Sequence, residues 1–223
     1  SVAYTITGGS ADLSGSNSSF MNGRGLFQAD SPDGANVPFG VREHSMGAVA
    51  NGMAVHGGLT PYTATFLIFS DYMRPAVRLA ALSGYPTIFV YTHDSIALGE
   101  DGPTHQPISQ LMGLRLIPNL TVIRPADAHE TAEAWRAALA RRDGPTVIVL
   151  TRQALPLLDA ERSRQLARGA YAVFESGDEP EIALLATCSE VHPAIEAGGL
   201  LGKDGVAVRV ISMPSWELFE AQP

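Results

Sequence analysis

Short apolar runs, dense in β-branched and aromatic residues, recur along the first 150 positions of this sequence. They occupy residues 62–69, 87–91, 120–123 and 145–150. The runs 87–91 and 145–150 are hydrophobic at nearly every position, which is typical of strands buried on both faces of a sheet. Segments that favour helix lie between the runs, at residues 43–55, 70–82, 108–114 and 128–140. This alternation predicts an α/β fold in which a parallel sheet is flanked by helices.

Polar residues and glycines mark the predicted helix ends. Gly57 and Gly84 follow two of the helices, at the position where a left-handed backbone favours glycine. Ser70 and Asp127 are placed as N-cap residues, whose side-chain oxygen accepts a hydrogen bond from the first turn. Pro75 has no amide N–H, so it must lie in or near the first turn of its helix or kink it.

The last third of the chain predicts a second and shorter α/β unit. The polar, Arg-rich segment 153–169 favours a linker, and strands at 171–174, 181–187 and 206–211 with a helix at 190–201 follow it. These roughly 50 residues fall short of an ordinary domain of about 100. We therefore expect a first domain at 1–152, a linker at 153–170 and a truncated domain at 171–223. The sequence begins with Ser1, and its end, from Ser215 onward, shows no evident capping element, so it has the features of a piece of a longer chain.

Charge and cysteine content limit the binding partners and the cellular compartment that we expect. Fifteen Lys and Arg against 23 Asp and Glu leave a net charge of −8, which argues against nucleic acid or an anionic membrane as a partner. No apolar run reaches the ~18 residues that a membrane span needs. Cys188 is the single cysteine, so no internal disulfide forms, and a reducing, cytoplasmic setting is expected.

The polar segment 92–106 is the densest group of candidate functional residues. It follows the strand 87–91 and contains His93 and His105, three acids and two glycines. Open α/β sheets bind their ligands at the carboxyl ends of strands, although a solvated loop with turn glycines has the same composition. A metal site is weakly supported, because the two histidines are far apart in sequence and Cys188 lies in the other predicted domain.

Three further features carry candidate chemistry. Glu43 begins a helix of small apolar residues, where it is either a carboxylate favoured by the helix dipole or a semi-buried acid with a raised pKa, suited to proton transfer. Phe66, Phe69 and Tyr72 are spaced by three and would share one face of a helix, as core or as part of a site. Arg152 follows the run 145–150, where a guanidinium binds phosphate well.

Six motifs give this sequence a resemblance to transketolases, which depend on thiamine diphosphate. The most specific is Gly-Glu-Asp-Gly-Pro-Thr-His-Gln at 99–106, and the others lie at 9–13, 39–44, 61–69, 91–95 and 124–127. The resemblance implies three α/β domains, of which the first binds the diphosphate and magnesium and the second the aminopyrimidine ring. This chain resembles the second domain and part of the third. It lacks a Gly-Asp-Gly…Asn-Asn pattern, so the magnesium and diphosphate ligands are expected on a missing N-terminal domain, and no metal ligands are expected here.

The resemblance assigns cofactor roles residue by residue. Glu43 matches the glutamate that bonds the aminopyrimidine ring nitrogen and favours the imino form, which takes the proton from the thiazolium carbon to make the ylide. Phe66, Phe69 and Tyr72 match the pocket that receives the flat ring. Asp12 matches a residue near the cofactor at the subunit interface.

The resemblance also assigns substrate roles. Ser16, His93 and Arg152 match positions that contact the sugar phosphate. Asp101 matches the residue that discriminates the stereochemistry of the acceptor's hydroxyl groups. His105 matches a catalytic residue that bonds the donor and relays protons.

The implied reaction transfers a two-carbon ketol unit from a ketose phosphate to an aldose phosphate, as in the pentose phosphate pathway. The family's sites are built between subunits, so the resemblance implies a homodimer or a complex with a separate chain that carries the missing domain. This chain alone is expected to be inactive. Dihydroxyacetone synthase and deoxyxylulose-phosphate synthase share the glutamate and the fold and remain alternatives, as does a catalytically incomplete fragment that serves only as an interaction module.

Overall fold

The computed structural model of this chain describes residues 5–223, and these residues form two compact units. The first unit runs as far as Thr121 and resumes at Ala138–Arg152. The second unit comprises Val122–Ala137 and Gln153–Pro223. The second unit contains a three-stranded sheet, and the first contains four of the five strands of a larger sheet.

Strands and helices alternate along most of the described chain. The strands are β1 Ile6–Ser10, β2 Thr60–Phe66, β3 Ile88–Asp94, β4 Thr121–Ile123, β5 Thr146–Thr151, β6 Tyr171–Glu175, β7 Ile182–Ala186 and β8 Val208–Ser212. The α-helices are α1 Glu43–His56, α2 Ser70–Ser83, α3 Gln110–Arg115, α4 Ala128–Ala140, α5 Ala160–Ser163, α6 Val191–Lys203 and α7 Trp216–Glu220. Short 3-10 turns lie at Leu67–Phe69, Gly99–Asp101, Arg164–Arg168 and Cys188–Glu190.

The larger sheet has five strands in the order β1-β2-β3-β5-β4. The pairs β1 with β2, β2 with β3, and β3 with β5 are parallel. Every residue of β2 and β3 is buried, as expected for a sheet covered on both faces. The smaller sheet has the order β6-β8-β7, with β7 parallel and β6 antiparallel to β8. The predicted α/β fold, with a parallel sheet and a second small sheet, is confirmed.

Strand β1 was not predicted, because its sequence Ile-Thr-Gly-Gly-Ser has no hydrophobic pattern. Its two glycines are required by close backbone approaches. A Cβ atom at Gly8 would lie 2.0 Å from the carbonyl oxygen of Tyr62, and one at Gly9 would lie 2.1 Å from that of Val37. The segment around Val37 covers this edge strand, since the Val37 amide donates to the Gly8 carbonyl at 2.8 Å.

The helix boundaries confirm some of the predicted caps and correct others. Gly84 follows α2 with a φ of 70°, and Asp127 caps α4 by accepting a hydrogen bond from the Glu130 amide at 2.8 Å. The N-cap of α2 is Phe69 and not Ser70, because a 3-10 turn leads directly into the helix. Pro75 lies inside α2, in its second turn, where its missing N–H removes one helix hydrogen bond.

The end of the chain forms a helix that the sequence analysis missed. Ser215 is the N-cap of α7, and its hydroxyl oxygen accepts a hydrogen bond from the Leu218 amide at 3.3 Å. The segment 153–169, expected to be a linker, contains α5 and a 3-10 turn, and Asp159 caps α5. Within the described part of the chain, no helix is both long and apolar enough to cross a membrane.

The core of the second unit contains a buried acid, Glu130, in the first turn of α4. Its Oε1 atom accepts hydrogen bonds from the hydroxyls of Tyr171 and Ser212, both at 2.6 Å. Its Oε2 atom accepts one from the Ala126 amide at 2.7 Å. Burial raises the pKa of Glu130 above its ordinary range, and these three hydrogen bonds act in the opposite direction.

We predict that Glu130→Ala lowers the unfolding free energy of the second unit by at least about 2 kcal/mol, because three donors lose their acceptor. Urea unfolding followed by tryptophan fluorescence measures this, since Trp135 and Trp216 both lie in the second unit. Glu161→Ala is the control, since the Glu161 side chain is 75% exposed. Equal effects of the two substitutions would contradict a stabilising role for this hydrogen-bond network.

The same acid predicts a pH dependence. Because the folded-state pKa of Glu130 is raised, the folded chain keeps the proton at pH values where the unfolded chain has released it. Its contribution to stability therefore decreases as the pH rises above its ordinary pKa of 4.5. Glu130→Gln does not titrate, so we expect the stability of this variant relative to the parent to increase between about pH 5 and pH 8. A constant difference over this range would disprove the prediction.

Candidate functional site

The carboxyl ends of the parallel strands gather several candidate residues in the first unit. Strands β2, β3 and β5 are in register there, with Phe66 opposite Thr92 and Asp94 opposite Thr151. These strands and β1 therefore end at one edge of the sheet, where α/β proteins bind ligands. The candidates at or just after the strand ends are Asp12, Phe66, His93 and Arg152.

Two phenylalanines form a stacked pair at this edge. Phe66 is the last residue of β2, and the 3-10 turn Leu67–Phe69 follows at once. A 3-10 helix has three residues per turn, so side chains three apart lie above one another. The ring centroids of Phe66 and Phe69 are 5.8 Å apart, and the ring planes differ by 12°. The ring of Tyr72 lies 6.0 Å from Phe69, and Tyr72 is 66% exposed.

Both candidate histidines pack against this pair. His93 stacks on Phe66 with a centroid distance of 3.7 Å and an angle of 25°. His105 meets Phe66 edge-on at 5.8 Å and Phe69 edge-on at 5.3 Å. The structure thus brings together Phe66, Phe69, Tyr72, His93 and His105, which we call the aromatic cluster. Sequence spacing alone did not connect the histidines to the phenylalanines.

His93 is held in a strained backbone. Its φ is 64°, in the left-handed region, and the β3–β5 register shifts between Tyr91 and Asp94. Such irregularities redirect side chains and are frequent at functional sites. Its Nδ1 atom is 2.9 Å from the Thr92 hydroxyl oxygen. Desolvation lowers the pKa of His93, and the charge of Asp101 partly opposes this shift, so the ring is neutral around pH 7.

Glu43 is a buried carboxylate with few partners. It is the first residue of α1, and its Oε1 atom accepts a hydrogen bond of 3.4 Å from the Thr65 hydroxyl. Thr65 immediately precedes Phe66 in β2. Across residues 5–223, no hydrogen bond or ion pair reaches the Oε2 atom of Glu43, although the residue is only 9% exposed. Oε2 is not fully enclosed, so it remains accessible to water or to a ligand, and a largely buried acid with one accessible oxygen is typical of a binding site.

Arg152 lies just after β5 and pairs with two consecutive acids. A terminal guanidinium nitrogen, Nη2, forms an ion pair with Glu100. The Nε atom lies 3.3 Å from the Oδ2 atom of Asp101. Both acids belong to the 3-10 turn Gly99–Asp101. Asp101 and Arg152 were predicted as site residues from the sequence, whereas Glu100 was not, although it lies inside the motif at 99–106.

Asp12 and Ser16 are not members of the aromatic cluster. Both residues are exposed, and Asp12 has a φ of 64°. Asp12 lines a cavity of about 300 Å³ together with Ser10, Phe20 and Asn36. In the part of the chain that the structure describes, no hydrogen bond, ion pair or ring contact connects Asp12 or Ser16 to the aromatic cluster.

The first unit offers groups that suit a flat heteroaromatic ring. The stacked phenylalanines present an apolar surface, and Glu43 provides a carboxylate with an open oxygen. These groups fit an aminopyrimidine, whose ring nitrogens and amine need polar partners. By contrast, the described residues contain no group of three or more His, Cys, Asp or Glu that could hold a metal ion.

Comparison with known families agrees with this geometry. Residues 2–157 match the family model described as the transketolase pyrimidine binding domain. Residues 169–223 match the model of the transketolase-like C-terminal domain. The aromatic cluster, Glu43 and Arg152 all lie within the first match.

The most similar proteins include transketolases from several organisms. The chain is 58% identical over 222 residues to a transketolase from Geobacillus stearothermophilus. This alignment covers 98% of this chain and 33% of the relative. Its fold matches transketolase from Leishmania mexicana with a TM-score of 0.94 and 44% identity, covering 98% of this chain and 33% of that one. It also matches a Pichia stipitis transketolase in complex with sedoheptulose-7-phosphate, with a TM-score of 0.92, 42% identity and the same coverage.

This chain spans about a third of the length of the curated relatives that it matches. The pyrimidine-domain match nevertheless covers well over half of the chain itself. The chain belongs to the transketolase family.

Proposed function

We propose that this chain supplies the pyrimidine half of a transketolase active site, in an enzyme that moves a two-carbon ketol unit from a ketose phosphate to an aldose phosphate. The observation that carries the proposal is the position of Glu43. Its side chain is largely buried, one of its oxygens has no partner among the described residues, and the other accepts a hydrogen bond from Thr65, the neighbour of the stacked Phe66. The Pichia stipitis relative binds sedoheptulose-7-phosphate, which supports sugar phosphates as the substrate class.

The cofactor in this proposal is thiamine diphosphate, on which the family depends. When bound, it supplies a nucleophilic carbon and a sink for the electrons of the broken carbon–carbon bond. Glu43 would bond the pyrimidine nitrogen and share a proton with it through Oε2, the oxygen that no described residue contacts. Phe66, Phe69 and Tyr72 orient the ring, and Asp12 lies near the cofactor at the subunit interface.

The proposal also assigns residues that bind the sugar substrates. Arg152 and His93 bind the sugar phosphate together with Ser16, and the neutral ring of His93 contributes a hydrogen bond. Asp101 accepts hydrogen bonds from acceptor hydroxyls and so distinguishes their stereochemistry. His105 lies edge-on to both phenylalanines, where it bonds the donor sugar and relays protons.

The proposal includes partners that bring the remaining parts of the site. We assign residues 1–152 to the pyrimidine domain, 153–170 to a linker and 171–223 to part of the C-terminal domain. A diphosphate-binding domain carries the magnesium ligands, and it belongs either to the same polypeptide in a homodimer or to a separate chain. Cys188 is buried and forms no disulfide, which suits the reducing cytoplasm, where the pentose phosphate pathway operates.

The first prediction for this proposal concerns Glu43. In the complete enzyme, in which this chain is joined to or assembled with the diphosphate-binding domain, Glu43→Gln lowers kcat by at least about 100-fold, because a positioned acid contributes that much. Glu43→Asp keeps the charge but is one methylene shorter, and we expect a similar loss. Steady-state kinetics measure both, and circular dichroism checks the fold. Activity like that of the parent in either variant would disprove the role.

The second prediction concerns Arg152. Arg152→Ala raises the KM for phosphorylated sugars by about 10- to 100-fold, because charge-assisted hydrogen bonds to the phosphate are lost. The KM for unphosphorylated sugars changes much less. Arg142→Ala is the matched control, since Arg142 is an exposed arginine that precedes β5 and thus lies near the opposite edge of the sheet. Equal effects on both classes of sugar would contradict phosphate binding by Arg152.

One assay separates the proposed activity from those of other thiamine-diphosphate enzymes. The complete enzyme is given xylulose 5-phosphate as donor and ribose 5-phosphate as acceptor. Formation of a seven-carbon ketose phosphate and a three-carbon aldose phosphate supports the proposal. If the enzyme turns over only the substrates of dihydroxyacetone synthase or of deoxyxylulose-phosphate synthase, that activity takes the place of the proposed one.

A further inference from the structure

Two acids of the same unit lie against the guanidinium of Arg152 and balance its positive charge. Glu100 pairs with its Nη2 atom, and Asp101 lies 3.3 Å from its Nε atom. We propose that Glu100 is a specificity-determining residue that competes with the sugar phosphate for Arg152. This inference rests on the proposed phosphate-binding role of Arg152, and it adds a residue that this role does not require.

The geometry of the guanidinium explains why the two ligands compete. A phosphate binds arginine best through two parallel N–H groups on one edge of the guanidinium. The Nε–Nη2 edge of Arg152 faces Asp101 and Glu100. Among residues 5–223, no hydrogen bond or ion pair reaches Nη1, so the Nη1–Nη2 edge is the remaining place for a bidentate phosphate contact. Glu100 already contacts Nη2, which this edge shares, so a phosphate bound there would lie directly beside the Glu100 carboxylate, and the repulsion between the two anions displaces Glu100.

Glu100 is the acid that the phosphate displaces, because its side chain is far more exposed to water than that of Asp101. The Glu100 side chain is 73% exposed, whereas that of Asp101 is 30% exposed. An exposed ion pair contributes little free energy, and water solvates the released carboxylate. Asp101 stays beside Nε, because its Oδ2 atom is buried without a hydrogen-bond partner and the charge of the guanidinium is what compensates it there. The structure thus separates an anchoring acid from a displaceable one on consecutive residues.

The competition affects phosphorylated and unphosphorylated sugars differently. When the sugar carries no phosphate, Glu100 continues to neutralise Arg152, and binding requires no rearrangement of the pair. When the sugar carries a phosphate, the ion pair must be broken first, and the displaced carboxylate remains near a dianion. Glu100 therefore reduces the preference for phosphorylated sugars below the level that Arg152 alone would give.

The test begins with Glu100→Gln in the complete enzyme. We expect the KM for a phosphorylated sugar to fall about two- to fivefold, the ratio that corresponds to one exposed ion pair. The KM for an unphosphorylated sugar stays the same, and the difference between variant and parent decreases at high salt. An unchanged KM for the phosphorylated sugar would overturn the inference.

The matched control removes the same charge from the same unit. Asp143 is an 89% exposed acid that pairs with Arg141 and precedes β5, near the opposite edge of the sheet. Asp143→Asn alters the net charge as Glu100→Gln does, and we expect it to leave the KM ratio between the two classes of sugar unchanged. An equal effect of the two substitutions would assign the change to net charge and overturn the inference.

A double-mutant cycle with Arg152→Ala separates this inference from the proposed function. If Glu100 acts through Arg152, Glu100→Gln has no further effect on KM once Arg152 is alanine. If Glu100→Gln still lowers the KM in that background, Glu100 repels the phosphate directly and competition is overturned. If Arg152→Ala itself raises KM selectively while Glu100→Gln does nothing, the proposed phosphate role stands and only this inference falls. If Arg152→Ala has no selective effect, both fall.

Discussion

The parallel pairing of β2, β3 and β5 is the constraint on which the candidate site depends. Parallel strands in register end at one edge of the sheet, so residues that follow them become neighbours although they are far apart in sequence. Phe66 and His93 stack only because β2 and β3 pair with Phe66 opposite Thr92. Arg152 reaches the acids of the Gly99–Asp101 turn because β5 continues the same register. A shift of that pairing would separate all of these groups.

Two buried carboxylates in this chain show how fold and function make different demands. Glu130 accepts three short hydrogen bonds within its own unit, so the fold itself accounts for its burial. Glu43 accepts one long hydrogen bond from Thr65 and keeps an open oxygen. A largely buried carboxylate that keeps one accessible oxygen is the arrangement expected of a binding site, so Glu43 points to a ligand. Both acids lie in the first turn of a helix, so their sequence positions do not distinguish them.

The accuracy of the sequence-based predictions followed the strength of the local signal. Continuous apolar runs and regular helix segments were assigned correctly, because their periodicity is a property of consecutive residues. Strand β1 was missed because its glycines serve close contacts with Tyr62 and Val37 instead of a hydrophobic pattern. The helix α7 was missed because it is short and depends on one cap, Ser215. Phe69 replaced Ser70 as the cap of α2 because a 3-10 turn precedes the helix.

The sequence by itself determined the α/β class, the resemblance to transketolases and most of the candidate residues, since periodicity and motifs are encoded locally. It identified Glu43, the histidines and Arg152 as candidate residues but did not show which of them are in contact. Only the tertiary structure decided that His93 and His105 pack on the phenylalanines, that Glu100 occupies Arg152, and that Glu43 keeps an open oxygen. These contacts join residues that are distant in the chain, and the register of the sheet, which no local pattern encodes, sets their distances.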